Sequence, residues 1–232
     1  MSKIQQWLRQ LWTSYKAAII RPNPTKFELE ASRANWATVW FGLLVVAITC
    51  AIEYAALEWQ YGWYFRDIEA MFGAFQLDPA PIGAFKDLLF WGGPLRGFIS
   101  PFITFFLGAL FLMWVARLFG GRGRTGSFKE DFLVHCYLLS LVYTPLRTVM
   151  GLLGIIPFVG GLVGLLAYCY HIYCAGVTLQ VSHGLNQGRA QWAVWVPQVV
   201  WYLVTTTLVT LVVIFLVFTG MVTAFDRLVP SR

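Results

Sequence analysis

The chain has 232 residues, 58% of them hydrophobic and only 12% charged, against roughly 25% charged in an ordinary soluble domain. That excludes a soluble globular protein. The net charge of +6 comes from 17 Lys and Arg against 11 Asp and Glu. The basic residues are scattered around apolar stretches, where they select the cytoplasmic side of a membrane, so nucleic acid is not expected as a partner. Uncharged windows cover 34–52, 97–116, 132–146, 148–188 and 190–225, and about 20 apolar residues cross a bilayer core. A bundle of this size is one domain without room for a separate soluble catalytic module. Cys50, Cys136, Cys169 and Cys174 all fall inside the apolar windows, which predicts free thiols rather than a disulfide framework.

In chain order, Ile4, Trp7, Leu8, Leu11, Trp12, Tyr15, Ala18 and Ile19 recur at the spacing of one helix face, with Gln6, Arg9, Gln10 and Lys16 off it. The first 20 residues hold no continuous apolar run of the signal-peptide kind. The pattern predicts an interfacial amphipathic helix over 1–24, linker included, with Trp7 and Trp12 at headgroup depth as lipid or partner contacts. The same face would suit a helix docked on the protein's own bundle. Pro22 and Pro24 break this helix, and Thr25-Lys26-Phe27-Glu28 reads as a capping box into the next. That helix carries Glu28, Glu30 and Arg33, enters the membrane at about Trp36 and leaves near Trp59.

Residues 60–96 are too polar to span and too aromatic for a free linker, which predicts short interfacial helices in an aromatic extramembrane segment. A second span runs from about Gly97 to Phe119, followed by the basic glycine-rich turn GGRGRTGSFKED at 120–131. A third span, about Phe132 to Ile156, contains Pro145 and Arg147. Pro157, Gly160 and Gly161 suit a hairpin reversal into a fourth, about Val159 to Val181. The fifth, about Trp192 to Val222, is expected to kink near Pro197. The expected fold is therefore an all-α integral membrane protein, with five transmembrane helices over 25–232 behind the amphipathic helix.

Orientation follows from the loop charges. An internal N-terminus puts eleven basic residues inside (Lys3, Arg9, Lys16, Arg21, Lys26, Arg33, Arg117, Arg122, Arg124, Lys129, Arg189). Six lie outside (Arg66, Lys86, Arg96, Arg147, Arg227, Arg232). A cytoplasmic N-terminus, an external C-terminus and the cell's inner membrane are expected.

Residues 120–192 carry a pattern of glycines, prolines and aromatics. Gly120-Gly121 precedes Gly126-Ser127-Phe128-Lys129-Glu130 at the entry to a span, which contains Tyr143-Thr144-Pro145. The hairpin Ile156-Pro157-Phe158-Val159-Gly160-Gly161 and then His183-Gly184-Leu185 with Ala190 follow. This stretch resembles the Yip-domain family (Ypt/Rab-interacting proteins) of small five-span membrane proteins, and looks like its prokaryotic members. The resemblance gives Gly120, Gly121, Phe128, Pro145, Pro157, Gly160 and Gly161 structural roles. The Asp-Leu-Tyr-Gly-Pro motif of the eukaryotic members is not in this sequence, so their small-GTPase partnership is not carried over. Arg147 is not part of the pattern. The resemblance implies a fold and a place in the membrane, and no reaction.

GGRGRTGS joins two spans instead of opening a helix after a strand, so it does not read as a phosphate cradle. Its Arg122, Arg124 and Lys129 are placed to meet anionic headgroups or an acidic partner from a flexible inner turn. Intramembrane His135 and His171 are candidate ligands for a pigment or haem. Their expected depths differ by roughly 9 Å, which strains joint ligation of one metal, and no resident cofactor or metal is expected. Glu53, the deeper of two acids near the outer end of the first span, reaches the interface, relays a proton or holds a cationic group. No nucleophile-base or paired-carboxylate arrangement stands out, so the chain is not expected to be an enzyme. The leading expectation is a non-catalytic scaffold or adaptor organising lipids or partner membrane proteins. The alternatives are an accessory subunit of an energy-converting or photosynthetic complex, with pigment or quinone, and a lipid or small-solute transporter.

Overall fold

The computed structural model describes residues 3–20, 22–74, 83, 86, 87, 90–156 and 158–228. Seven helices of 8 residues or more are formed among them: α1 Lys3–Ile20, α2 Pro24–Ala31, α3 Trp36–Ala74, α4 Gly93–Leu118, α5 Phe128–Gly154, α6 Val159–His183 and α7 Gln187–Leu228. There is no strand among the described residues. Among the described residues, four helical stretches are long and apolar enough to cross a membrane: Trp36–Met71, Gly93–Leu118, Phe128–Gly154 and Val159–His183. The all-helical membrane architecture expected from composition is thus present in the described residues.

Local chemistry corrects the sequence reading at both ends of α2. Asn23, not Thr25, caps the helix: its Oδ1 accepts from the Thr25 N–H at 2.9 Å. Pro24 then takes the first helical position, where its missing N–H costs nothing. The Thr25–Glu28 capping box does not form, because Thr25 is already inside the helix. A second asparagine, Asn35, accepts from the Thr38 N–H at 2.9 Å and starts α3 afresh at Trp36. The expected single helix through Glu28, Glu30 and Trp36 is therefore two.

The second correction is the length of α3. The chain does not leave its helix at Trp59 but continues to Ala74, giving 39 residues or roughly 58 Å at 1.5 Å per residue. The hydrocarbon core is only about 30 Å thick, so the Gln60–Ala74 end projects past it. Gln60 ties the base of this projection to the α5–α6 hairpin, donating to the Ile155 carbonyl at 2.9 Å. Prolines 79 and 81, expected in the same segment, lie outside the described residues.

The bundle packs α3 against α4 and α5, α5 against α6, and α6 against α7. Aromatic side chains knit the first three. The Trp36 ring meets Phe106 at 6.3 Å and Phe132 at 6.1 Å, and Trp40 meets Phe106 at 5.2 Å. Leu43, Leu138, Leu141 and Leu179 are fully buried at the centre. Pro145 and Pro197 both sit inside unbroken helices, so the expected kink at Pro197 does not interrupt α7. A bundle lets neighbouring helices re-satisfy the backbone that a proline frees.

The hairpin between α5 and α6 turns at Phe158, a non-glycine residue at φ 64° that is 96% exposed. Gly160 lets the two helices meet, because a Cβ there would stand 2.7 Å from the Gly154 Cα. Gly161 faces open space, and Pro157 lies outside the described residues.

Candidate functional site

The two charged residues that the sequence left separate, Glu53 on α3 and Arg147 on α5, form an ion pair. The Arg147 Nη2 donates to Glu53 Oε2 at 2.7 Å. The pair sits within the bundle, with side-chain exposures of 26% for Arg147 and 15% for Glu53. Gly151 and Gly154 make room for the carboxylate: a Cβ at these positions would stand 3.3 and 3.0 Å from it. Glu53 thus holds a cationic group, as one of its readings foresaw, and that group belongs to the chain itself.

Arg147 also lines a cavity of about 310 Å³ between α4, α5, α6 and α7, together with Tyr143, Tyr168, His171 and Gln198. A smaller pocket of about 170 Å³ shares Leu112, Tyr143, His171 and Gln198 with it. The apolar wall includes Leu146, Met150, Ile172 and Val194. The Tyr168 hydroxyl donates to the Gln198 side-chain oxygen across the α6–α7 interface. The His171 ring stands edge-on to Tyr143, with centroids 6.0 Å apart. The structure does not bring His171 and His135 together, in line with their expected difference in depth.

The partner of His135 is instead His183, a residue that sequence reasoning had used only as part of a motif. Their ring centroids are 5.0 Å apart and both side chains are fully buried. The His135 Nδ1 lies 3.2 Å from the Ser182 hydroxyl, while its Nε2 and both His183 ring nitrogens have no hydrogen-bond partner among the described residues. No group of three or more His, Cys, Asp or Glu stands together as a metal site among the described residues. The four cysteines are free thiols.

At the same end of the bundle, the 120–127 turn is built rather than loose, which corrects the expectation of flexibility. Gly120, at φ 87°, ends α4 in a left-handed conformation that suits glycine. The Gly121 N–H reaches back to the Ala116 carbonyl at 2.8 Å and the Gly120 N–H to Arg117 at 3.0 Å. The Arg122 N–H donates to the His183 carbonyl at 2.9 Å. Buried Asp131 accepts from the Thr125 N–H at 2.7 Å and its hydroxyl at 3.0 Å. The side chains of Arg122, Arg124 and Lys129 remain exposed, as does Phe128, whose ring lies 5.5 Å from the Arg117 guanidinium.

The N-terminal helix shows three faces. Leu11, Ser14 and Ala18 are buried against the bundle, and Trp7 packs edge-on to Phe41 at 5.1 Å. Ile4, Leu8 and Trp12 form an exposed apolar stripe beside them, with Lys16 5.1 Å from the Trp12 ring. Gln6, Arg9, Gln10 and Thr13 line a polar cleft with Arg33. The docking is clasped by Glu30, only 6% exposed, which accepts from Ser14 at 2.7 Å, Tyr137 at 3.1 Å and Arg33 at 3.3 Å. Trp7 therefore packs on the protein, while Trp12 stays exposed.

Compared with known proteins, the Yip1 domain model matches residues 16–218. No curated protein and no solved structure matches the chain.

Proposed function

The chain belongs to the Yip1 domain family, and from that premise we propose that it is a non-catalytic membrane scaffold or adaptor, organising lipids or partner membrane proteins. The observation that supports this reading is the projecting end of α3. Trp59, Trp63 and Tyr64 are exposed there, with Phe158 of the α5–α6 hairpin beside them around one surface pocket. Arg66 lies 4.2 Å from the Trp63 ring. Exposed aromatic groups gathered around one pocket suit contact with a partner protein or with lipid headgroups, the two things a scaffold of this kind would organise.

In the proposed topology α7 supplies a fifth span, with the N-terminus and the 120–127 turn on the cytoplasmic side of the cell membrane and the C-terminus outside. The excess of basic residues on the inner side supports it. In a cysteine-free background, Ser127→Cys and Ser231→Cys are expected to label from opposite sides of the membrane. Labelling from one side overturns the odd count.

Purification from the native membrane in mild detergent, followed by mass spectrometry, tests the scaffold itself. Wild type is expected to carry partner membrane proteins, and Trp59→Ser with Trp63→Ser and Tyr64→Ser to lose most of them. A lone wild-type protein that moves labelled lipid between liposome leaflets overturns the reading in favour of a transporter.

A further inference from the structure

Three polar groups around the α4–α7 cavity keep donors that nothing among the described residues takes up. Arg147 gives one N–H to Glu53, which is its one hydrogen-bond partner among the described residues, although a guanidinium carries further donors in a fixed fork. Gln198 accepts from Tyr168 and keeps its amide NH₂. His171 forms no hydrogen bond among the described residues and in its neutral form has one ring N–H to offer. Three donors from α5, α6 and α7 thus border one apolar chamber inside the bundle. Unmet donors in such surroundings favour a ligand that brings acceptor oxygens.

The charge of that ligand follows from Glu53. It neutralises Arg147 from outside the chamber and is not one of the residues lining it. A second anion would leave one uncompensated negative charge in a low-dielectric site, whereas a neutral carbonyl accepts the same hydrogen bonds without that cost. A cation finds no free carboxylate there. The apolar wall of Leu146, Met150 and Val194 suits a hydrocarbon tail. We propose that the cavity binds the carbonyl head of a neutral membrane amphiphile, an acyl ester or an isoprenoid quinone, on Arg147, His171 and Gln198. This rests on the bundle lying in the membrane and not on the scaffold reading, so either can fail alone.

The test is native mass spectrometry of the full chain in detergent, titrated separately with monoolein, decylubiquinone and oleoyl lysophosphatidate. The last has the tail and ester of monoolein with a phosphate added. Saturable binding of a neutral probe is expected, tighter than that of lysophosphatidate, and the probe that binds identifies the ester or the quinone. Gln198→Leu and His171→Phe, each folded by thermal-unfolding criteria, are expected to weaken the neutral probe about fivefold, one hydrogen bond's worth. Glu53→Gln with Arg147→Met, which removes the donor while keeping the site neutral, is expected to weaken it more. Tighter binding of lysophosphatidate, no saturable neutral binding, or wild-type affinity in all variants overturns the proposal.

Discussion

Two glutamates, Glu30 buried ahead of α3 and Glu53 half-buried within it, are handled in opposite ways. Glu30 in α2 is enclosed by Ser14, Tyr137 and Arg33, so both its oxygens are engaged, by α1, by α5 and by the segment that follows α2. Glu53 in α3 accepts from one donor among the described residues, Arg147, and Arg147 itself borders a cavity with its other N–H groups unused. A buried carboxylate with both oxygens held by donors from other parts of the chain is a clasp, because it ties those parts together. A pair satisfied on one side only is a place where something else can bind. The first kind fixes the fold and the second leaves a function open.

The largest effect is expected where the clasp is opened. Glu30→Ala strands the Ser14 and Tyr137 hydroxyls without an acceptor and releases α1, costing roughly 3 kcal/mol. Thermal unfolding in detergent measures the loss, and limited proteolysis should cut within 3–20 far faster than in wild type. Adding Ser14→Ala and Tyr137→Phe to the same variant should recover much of the stability, because no orphaned hydroxyl then remains. Failure of that rescue would show that packing, not the carboxylate, holds α1.

At the second glutamate, Arg147→Met and Glu53→Gln are each expected to cost about 2 kcal/mol, and the double variant less than their sum. The coupling energy, on the order of 1–2 kcal/mol, is read from unfolding in denaturing detergent. A coupling near zero would mean that water in the cavity already satisfies Arg147, and the contrast between the two glutamates would disappear.

Glycines give a finer version of the same contrast between filled and open space. A Cβ at Gly123 would overlap the Asp131 carboxylate, whereas one at Gly161 would meet nothing within 4 Å. Gly123→Ala is expected to lower stability by about 1–2 kcal/mol as the turn is pushed off Asp131. Gly161→Ala should stay within about 0.5 kcal/mol of wild type. Both are measured by thermal unfolding. Equal effects would mean that the 120–127 turn is not wrapped around Asp131 in solution.

Four long apolar helices were legible because uncharged windows need no partner to be recognised, and the break between α1 and α2 because Pro22 and Pro24 act locally. The cap at Asn23 was missed in favour of Thr25, although both lie within one turn, since propensity alone does not choose between adjacent cap residues. The continuation of α3 past Trp59 was missed because charge was taken as the end of a helix, when it marks only the end of the membrane. The pairings Glu53–Arg147, Glu30–Tyr137 and His135–His183 join residues 48 to 107 positions apart in sequence, and no periodicity within one helix encodes such meetings. Depth counting along α5 and α6 did separate His135 from His171. The same count, applied to His183 at the C-terminal end of α6, could have found the partner of His135.

The smallest expected effect belongs to the exposed side of the turn between α4 and α5. Arg122, Arg124 and Lys129 point outward from a backbone already fixed by Gly120, Asp131 and His183, so changing all three to Gln should leave thermal unfolding unaltered. What changes is the field at the membrane surface, where each basic side chain contributes on the order of 1 kcal/mol of attraction to an anionic leaflet. Retention of anionic lipid on gentle purification should therefore fall in the triple variant at low salt. The difference from wild type should shrink as ionic strength rises and screening takes over. Unchanged lipid retention at low salt would reduce the three side chains to a topology signal. A fall in stability instead would show that they belong to the clasped half of the molecule after all.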